Sequence, residues 1–245
     1  MLGASPEARI SSIASPMSET VKQMFGRIAP TYDLANRVLS ARRDVAWRRN
    51  ALDLLQGAPG DCLDLACGTF DFALEALARQ RARRIHGCDF SLPMLQAGAA
   101  KRAGRPLSAT TGDALRLPYA SGAFDTAMVA YGWRNFGDPE AALTELARVL
   151  RPGGELLILE FFRPVRLWPR LFYGTFGRVM MPLVGGLVSG DRAAYSYLNK
   201  SISSFLSIDE AEALLGAAGF SGMRRLACFG GVSHALAGTK GAAGP

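Results

Sequence analysis

The chain has 245 residues, of which 49% are hydrophobic and 20% are charged, and its formal net charge at pH 7 is +7. This length suits one large α/β domain, whose core needs neither disulfides nor a metal ion. The basic excess favours an anionic substrate or an acidic membrane surface, but the arginines are spread along the chain without a basic-aromatic repeat, which argues against nucleic acid as a partner.

Residues 1–17 are rich in Ser, Ala and Pro and lack the apolar segment of a signal peptide, so they are predicted to be a disordered lead. A single domain is predicted over residues 18–240. It opens with N-terminal helices over residues 18–57, one at 18–29 with an apolar repeat on one face and one from Asp44 to Leu55.

Short apolar runs then alternate with helical segments. Strands are predicted over residues 61–66, 84–88, 107–111, 124–130 and 155–161, the last of them preceded by a turn at residues 151–154. This β-α-β alternation predicts a Rossmann-like, mostly parallel sheet with helices on both faces, and a ligand-binding core over residues 61–161.

Residues 162–206 interrupt this alternation, because they are rich in aromatic residues, glycine and arginine, and a helical insert is predicted there. The stretch from Leu171 to Val188 has about 18 residues, near the lower limit for a membrane span, but Arg178 and Pro182 argue against one. A capping box at Ser207 predicts a last helix, two strands end the domain by residue 240, and residues 241–245 are predicted to be a tail.

The four cysteines show no metal-ligand spacing, and three of them lie in apolar, strand-like runs. They predict buried thiols in a reducing cytoplasm and no metal site.

Polar residues follow three successive strands of the predicted sheet. The first strand carries Asp64 and leads into a loop with Gly68, while the second and third strands end at Asp89 and Asp113. Ligands of open parallel sheets bind at the carboxyl ends of the strands, where a carboxylate after the second strand accepts from ribose hydroxyls. An acid after the third strand can accept from the amine of adenine. An adenosine ligand is therefore predicted, against the alternative of a tight turn with two surface aspartates.

The sequence of the loop after the first strand distinguishes between two adenosine ligands, NAD and S-adenosyl-L-methionine. NAD requires G-x-G-x-x-G to seat its pyrophosphate, but this loop has Ala66, Gly68 and Phe70 at its i, i+2 and i+4 positions. A single glycine disfavours pyrophosphate, and Asp64 fits the acid that begins a methyltransferase loop. S-adenosyl-L-methionine is the predicted cofactor, with S-adenosyl-L-homocysteine as its product.

Several segments carry a more specific pattern. Y-D-L-A-N, G-W-R-N-F and L-E-F-F-R-P, with the long segment before Ser207, are specific, while L-R-P-G-G occurs in many methyltransferases. Over about residues 20–240 the chain resembles the ubiquinone/menaquinone biosynthesis C-methyltransferases. The resemblance implies a class I methyltransferase fold, with seven strands of which the last is antiparallel, and a prenylated naphtho- or benzoquinol as substrate.

The resemblance also implies where the cofactor binds. Contacts are expected at Thr69, Asp89 and the Asp113–Ala114 pair, and at Ala130, where the family often has serine and only the backbone could take part. The chain departs from the family at Phe70, where relatives have glycine or a small residue. A benzyl group there would crowd the methionyl part of the cofactor unless it rotates away.

Two residues are candidates for the chemistry of methyl transfer to a quinol ring. Attack from a ring carbon requires a hydroxyl that loses its proton and a cation that stabilises the phenolate. The candidates are Tyr32, in the N-terminal helical cover, and Arg134, just after the fourth strand. The alternative role of Tyr32 is packing on the sheet, and that of Arg134 is a salt bridge. Arginine stays protonated, so Arg134 is assigned to the phenolate or to a water molecule.

The insert also bears on partners and location. An apolar groove for an isoprenoid tail and a basic, aromatic surface at the bilayer predict peripheral membrane contact on the cytoplasmic face, with an ordinary lid as the alternative. A homodimer is left open. The alternative functions are methylation of another small aromatic metabolite and a cofactor-binding protein without catalysis.

Overall fold

In a computed structural model, residues 19–241 are described; the predicted lead and residues 242–245 of the predicted tail lie outside them. Seven strands form one sheet in the order β3-β2-β1-β4-β5-β7-β6. The strands are β1 Gly60–Leu65, β2 Ala82–Asp89, β3 Leu107–Thr111, β4 Phe124–Ala130, β5 Leu150–Glu160, β6 Phe220–Cys228 and β7 Ser233–Lys240. Pairing is parallel from β3 through β5, and β7 is antiparallel to both of its neighbours. The predicted fold class is confirmed.

Helices cover both faces of this sheet. They are α1 Glu19–Ile28, α2 Tyr32–Leu39, α3 Arg43–Leu52, α4 Asp71–Ala78, α5 Leu92–Ala97, α6 Ala99–Arg102, α7 Pro139–Val149, α8 Leu167–Phe172, α9 Met181–Ser189, α10 Arg192–Ser204 and α11 Ile208–Ala217. Successive residues of a strand point to opposite faces, so Met128 packs in one buried cluster and Val129 in the other. The predicted capping box is present, with Glu210 N donating to Ser207 Oγ.

The segment before β5 and helix α2 differ from the sequence prediction. β5 begins at Leu150, which pairs with Phe124, but residues 151–154 have no partner in β4 before Glu155 pairs with Thr126, and Gly153 has φ of 76°. The predicted turn is thus an unpaired bulge within β5. Helix α2 was not predicted. The membrane-span candidate is divided between α8, a π-helical segment Tyr173–Met180 and α9, and no helix among residues 19–241 is long and apolar enough to cross a bilayer.

The helical insert packs against the N-terminal helices. Met24 and Ile28 of α1 share a buried cluster with Ala194 and Tyr195 of α10. This contact brings both helical segments together over the carboxyl ends of β1 and β4, where the cavities described next lie.

Candidate active site

Three adjoining cavities lie at the carboxyl ends of the central strands. The acidic cavity, of about 990 Å³, is lined by Asp89, Asp113 and Ala114. The central cavity, of about 420 Å³, shares Asp89 with it and is also lined by Gly68 and Ala130. The aromatic cavity, of about 890 Å³, meets the central cavity at Phe25, Tyr32 and Tyr131. Seven of the nine predicted site residues line these cavities. Gly68, Asp89, Asp113, Ala114 and Ala130 line the acidic and central cavities, Tyr32 lines the central and aromatic ones, and Arg134 lines the aromatic one.

Asp89 connects the loop after β1 to the end of β2. Its Oδ2 accepts from Gly68 N at 2.8 Å, and its Oδ1 accepts from Ser91 N at 2.8 Å. The side chain is buried, and burial raises its pKa while these hydrogen bonds oppose the rise. Carboxylate oxygens have further lone pairs, so Asp89 can still accept from a ligand.

Asp64 lies beneath the same loop and lines none of the three cavities. Its Oδ2 accepts from Ala73 N at 3.1 Å, whereas Oδ1 is buried without a hydrogen-bond partner among the described residues. Burial raises the pKa of Asp64 to about 8. The carboxyl group is therefore mostly protonated at neutral pH.

Thr69 also turns away from the three cavities. Its Oγ1 donates to Asp33 Oδ1 at 2.6 Å, which ties the loop to α2. Lys101 forms ion pairs with Asp33 and Asp71, the latter at 2.7 Å, so this contact belongs to a charged network on α2, α4 and α6. A cofactor contact by the Thr69 hydroxyl stays a prediction.

The ring of Phe70 does not enter the cavities. A Cβ atom at Gly87 or Gly98 would lie 2.8 Å or 2.6 Å from this ring, which is completely buried between the two glycines. Phe70 adopts a left-handed backbone conformation, with φ of 69°. The ring is therefore turned away from the space in which the cofactor is predicted to bind.

Arg134 lies against the aromatic cavity and is also in a buried ion pair. Its Nη1 donates to Glu160 Oε1 and to Tyr131 O, both at 2.6 Å, and its side chain is 6% exposed. Its Nε has no hydrogen-bond partner among residues 19–241. Both the predicted cavity position and the alternative salt bridge are therefore present.

Tyr32 begins α2 and lies where the central and aromatic cavities meet. Burial raises the pKa of its phenol, and the guanidinium groups of Arg48 and Arg134 act in the opposite direction. The net change is a raised pKa, so Tyr32 is a hydrogen-bond donor at neutral pH.

Several polar groups of the aromatic cavity were not predicted from the sequence. Arg48 of α3 pairs with Asp44 at 2.7 Å, and Tyr197 of the insert donates to Asn135 Oδ1 at 3.1 Å. Tyr131 separates the cavities and has a left-handed backbone, with φ of 60°. An acid and an arginine four residues apart on one predicted helix were the only local signal for Arg48.

Comparisons with known proteins agree with this geometry. The sequence profile of the ubiE/COQ5 methyltransferase family matches residues 14–240. A Thermus thermophilus protein named demethylmenaquinone methyltransferase is 45% identical over 210 residues, covering 84% of this chain and 96% of its own. A Bdellovibrio bacteriovorus protein named ubiquinone/menaquinone biosynthesis C-methyltransferase UbiE is 34% identical over 229 residues, covering 92% and 97%.

Solved structures show the same fold at lower identity. A Thermotoga maritima protein described as a SAM-dependent methyltransferase, possible histamine N-methyltransferase, superimposes with a TM-score of 0.66 at 19% identity. The superposition covers 89% of this chain and 98% of that one. At this identity the match shows the fold alone.

Proposed function

The chain belongs to the ubiE/COQ5 methyltransferase family, and we propose that it transfers a methyl group from S-adenosylmethionine to a ring carbon of a prenylated quinol in respiratory quinone biosynthesis. One observation carries this proposal. The acidic cavity leads, past Tyr32, into an aromatic cavity that contains the buried guanidinium of Arg134. The name of the Thermus relative supports a demethylmenaquinol as substrate, and a benzoquinol precursor is the alternative.

The residues of the acidic and central cavities fit the cofactor. Asp89 would accept from the ribose hydroxyls, and Asp113 with the backbone of Ala114 would bind adenine. The backbones of Gly68 and Ala130 would face the methionyl part. Asp64, whose Oδ1 is buried without a hydrogen-bond partner among residues 19–241, would hold the loop in position, and Thr69 would contact the cofactor from the edge of this loop. When bound, S-adenosylmethionine supplies an electrophilic methyl group on a sulfonium.

Arg134 and Tyr32 would prepare the quinol ring. Arg134 stays protonated and is fixed by Glu160, so we assign it to the stabilisation of a phenolate oxygen. Tyr32 would donate a hydrogen bond to the same substrate, because its raised pKa keeps the phenol protonated. Eight aromatic side chains line the cavity and exclude water from the ring.

The prenyl tail points to a membrane as the source of the substrate. Leu167, Trp168, Leu171 and Leu187 of the insert are 52–87% exposed, and Arg166, Arg170 and Arg178 are exposed among them. Apolar side chains with cations between them suit an anionic bilayer surface. We therefore propose peripheral contact with the cytoplasmic face, which the four free cysteines also favour. A homodimer stays a prediction that sedimentation can check.

Incubation with labelled S-adenosylmethionine tests the proposed function. The protein is mixed with short-chain demethylated naphthoquinol or benzoquinol, and the products are identified by mass. We expect one added methyl group on the naphthoquinol ring. Labelling of neither quinol would contradict the proposal. Calorimetry with S-adenosylmethionine would then separate methylation of another aromatic compound from a protein without cofactor binding.

A further inference from the structure

Arg48 is a second buried guanidinium on the wall of the aromatic cavity. Its side chain is 8% exposed, and its Nη1 donates to Asp44 Oδ2 at 2.7 Å. Among the described residues, no acceptor lies within hydrogen-bond distance of its buried Nε. A buried cation with an unpaired N–H destabilises a fold, and an apolar side chain would cover the same wall more favourably. The position therefore points to a ligand atom that accepts from Arg48.

The two arginines of the cavity flank one pair of aromatic rings. Tyr131 and Phe161 stack with their ring centroids 4.5 Å apart and an interplanar angle of 25°. The Arg48 guanidinium carbon lies 5.6 Å from the Tyr131 ring centroid, and that of Arg134 lies 5.7 Å from the Phe161 centroid. Each cation thus lies over a different ring of the pair, and all four side chains line one cavity.

Each arginine is held in place by a carboxylate. Asp44 is 5% exposed and also accepts from Ser40 Oγ at 2.7 Å, and Glu160 is completely buried behind Arg134. Both guanidiniums are therefore oriented before a ligand binds. The phenol of Tyr32 already feels both cations, since each of them lowers its pKa against the effect of burial. Both guanidiniums therefore line the space that a ligand would fill.

A 1,4-quinol carries two oxygen atoms on opposite sides of its ring. Resting on the proposed function, we propose that Arg48 binds the ring oxygen para to the one stabilised by Arg134. The site then recognises 1,4-quinols and rejects aromatic rings with a single hydroxyl. Arg48 is a specificity-determining residue in this arrangement.

The test compares two substrates and three proteins. The substrates are a short-chain demethylated 1,4-naphthoquinol and the analogue that lacks the hydroxyl para to the activating one. We expect the wild type to prefer the diol, and Arg48→Met to raise the KM for the diol by about 10–100-fold while leaving the mono-ol almost unchanged. Arg48→Lys retains the charge and is expected to recover part of the preference.

Controls separate this role from a structural one. Arg49→Met, on the exposed side of the same helix, is expected to behave as the wild type. Arg48→Met leaves the buried carboxylate of Asp44 without its partner and so could fail to fold. The double variant Asp44→Asn, Arg48→Met removes both buried charges, and the same two substrates are then compared on it. Equal weakening of both substrates, or an unchanged KM for the diol, would overturn the inference.

Binding measurements do not depend on turnover. Calorimetry of both compounds is carried out in the presence of S-adenosylhomocysteine. If the wild type methylates neither compound but prefers the diol in an Arg48-dependent way, the inference stands and the proposed function fails. If it binds neither compound, both are overturned.

Discussion

A Cβ atom at Gly98 would lie 2.6 Å from Cδ2 of the Phe70 ring. The ring occupies space that the missing side chains at Gly98 and Gly87 leave free, and it is completely buried there. A bulky residue in the loop after β1 is therefore compatible with a cofactor, because its ring packs between β2 and α5 and lines none of the three cavities.

Gly98→Ala is expected to lower the free energy of unfolding by about 1–3 kcal/mol, because the new methyl group overlaps Phe70 and the Thr69 backbone. Denaturant unfolding measures this change. Gly216→Ala is the matched control: its Cβ would meet no atom within 4 Å, and the helix gains up to about 1 kcal/mol. A Gly98→Ala variant as stable as the wild type would contradict the packing described for Phe70.

Asp64→Asn is expected to change the pH dependence of stability in the absence of cofactor. Burial raises the pKa of Asp64 from 3.8 to about 8, so the folded protein binds this proton more tightly than the unfolded chain. The stabilisation from this proton is fully present below pH 4. It is lost at roughly 1.4 kcal/mol per pH unit as the pH rises from 4 to 8.

The melting temperature of Asp64→Asn relative to wild type should therefore rise between pH 4 and pH 8 and then level off. Asp209→Asn, whose side chain is 73% exposed, is the surface control. A difference for Asp64→Asn that stays constant over this range would contradict a buried, mostly neutral carboxyl group.

Asp89→Asn is expected to weaken S-adenosylhomocysteine binding by about 10–100-fold, because an amide cannot accept from the ribose hydroxyls as a carboxylate does while it also serves two backbone N–H groups. Calorimetry measures the affinity, and Asp209→Asn again serves as control. Wild-type affinity in Asp89→Asn would remove Asp89 from the cofactor site.

Arg134→Ala is expected to lose both stability and turnover. Glu160 would remain completely buried without its partner, which costs about 3–5 kcal/mol, and the phenolate would lose its cation. Adding Glu160→Gln should restore stability but not turnover. Thermal melts and the methylation assay separate the two effects, and full turnover in either variant would show that Arg134 has no catalytic role.

The combination of Leu167→Glu and Leu187→Glu is expected to reduce flotation with anionic vesicles at least tenfold, since two of the most exposed apolar side chains of the insert become acidic. Leu92→Glu, which is exposed on α5 outside the insert, is the control. Unchanged flotation, or no flotation of the wild type, would leave the insert as a lid only.

The residues of the proposed cofactor site could be predicted to lie together because they follow successive strands. Parallel pairing brings Asp89 and Asp113 to one edge of the sheet, and that pairing is implied by the β-α-β alternation alone. Tyr32 and Arg134 were predicted from the chemistry of a quinol substrate and from their places in the N-terminal cover and after the fourth strand. They are 102 positions apart, and no local pattern places one near the other.

The position of Arg48 over Tyr131 and the direction of the Phe70 ring could not be predicted from the sequence. Both depend on packing between segments far apart in the chain, such as Arg48 of α3 against Tyr131, or Phe70 against Gly98. The start of β5 at Leu150 also required the tertiary structure, because Leu150 pairs with Phe124 across the sheet, whereas residues 151–154 have no partner in β4.

The amino-acid sequence by itself determined the order of strands and helices, the capping of the last helix and the acids at the strand ends. These features follow from periodicity and from contacts between near neighbours. Only the tertiary structure decided which cavities join, which buried charges face them and where a bulky loop residue turns. Those outcomes depend on close packing between distant segments, where a single missing Cβ changes the space available to a ring.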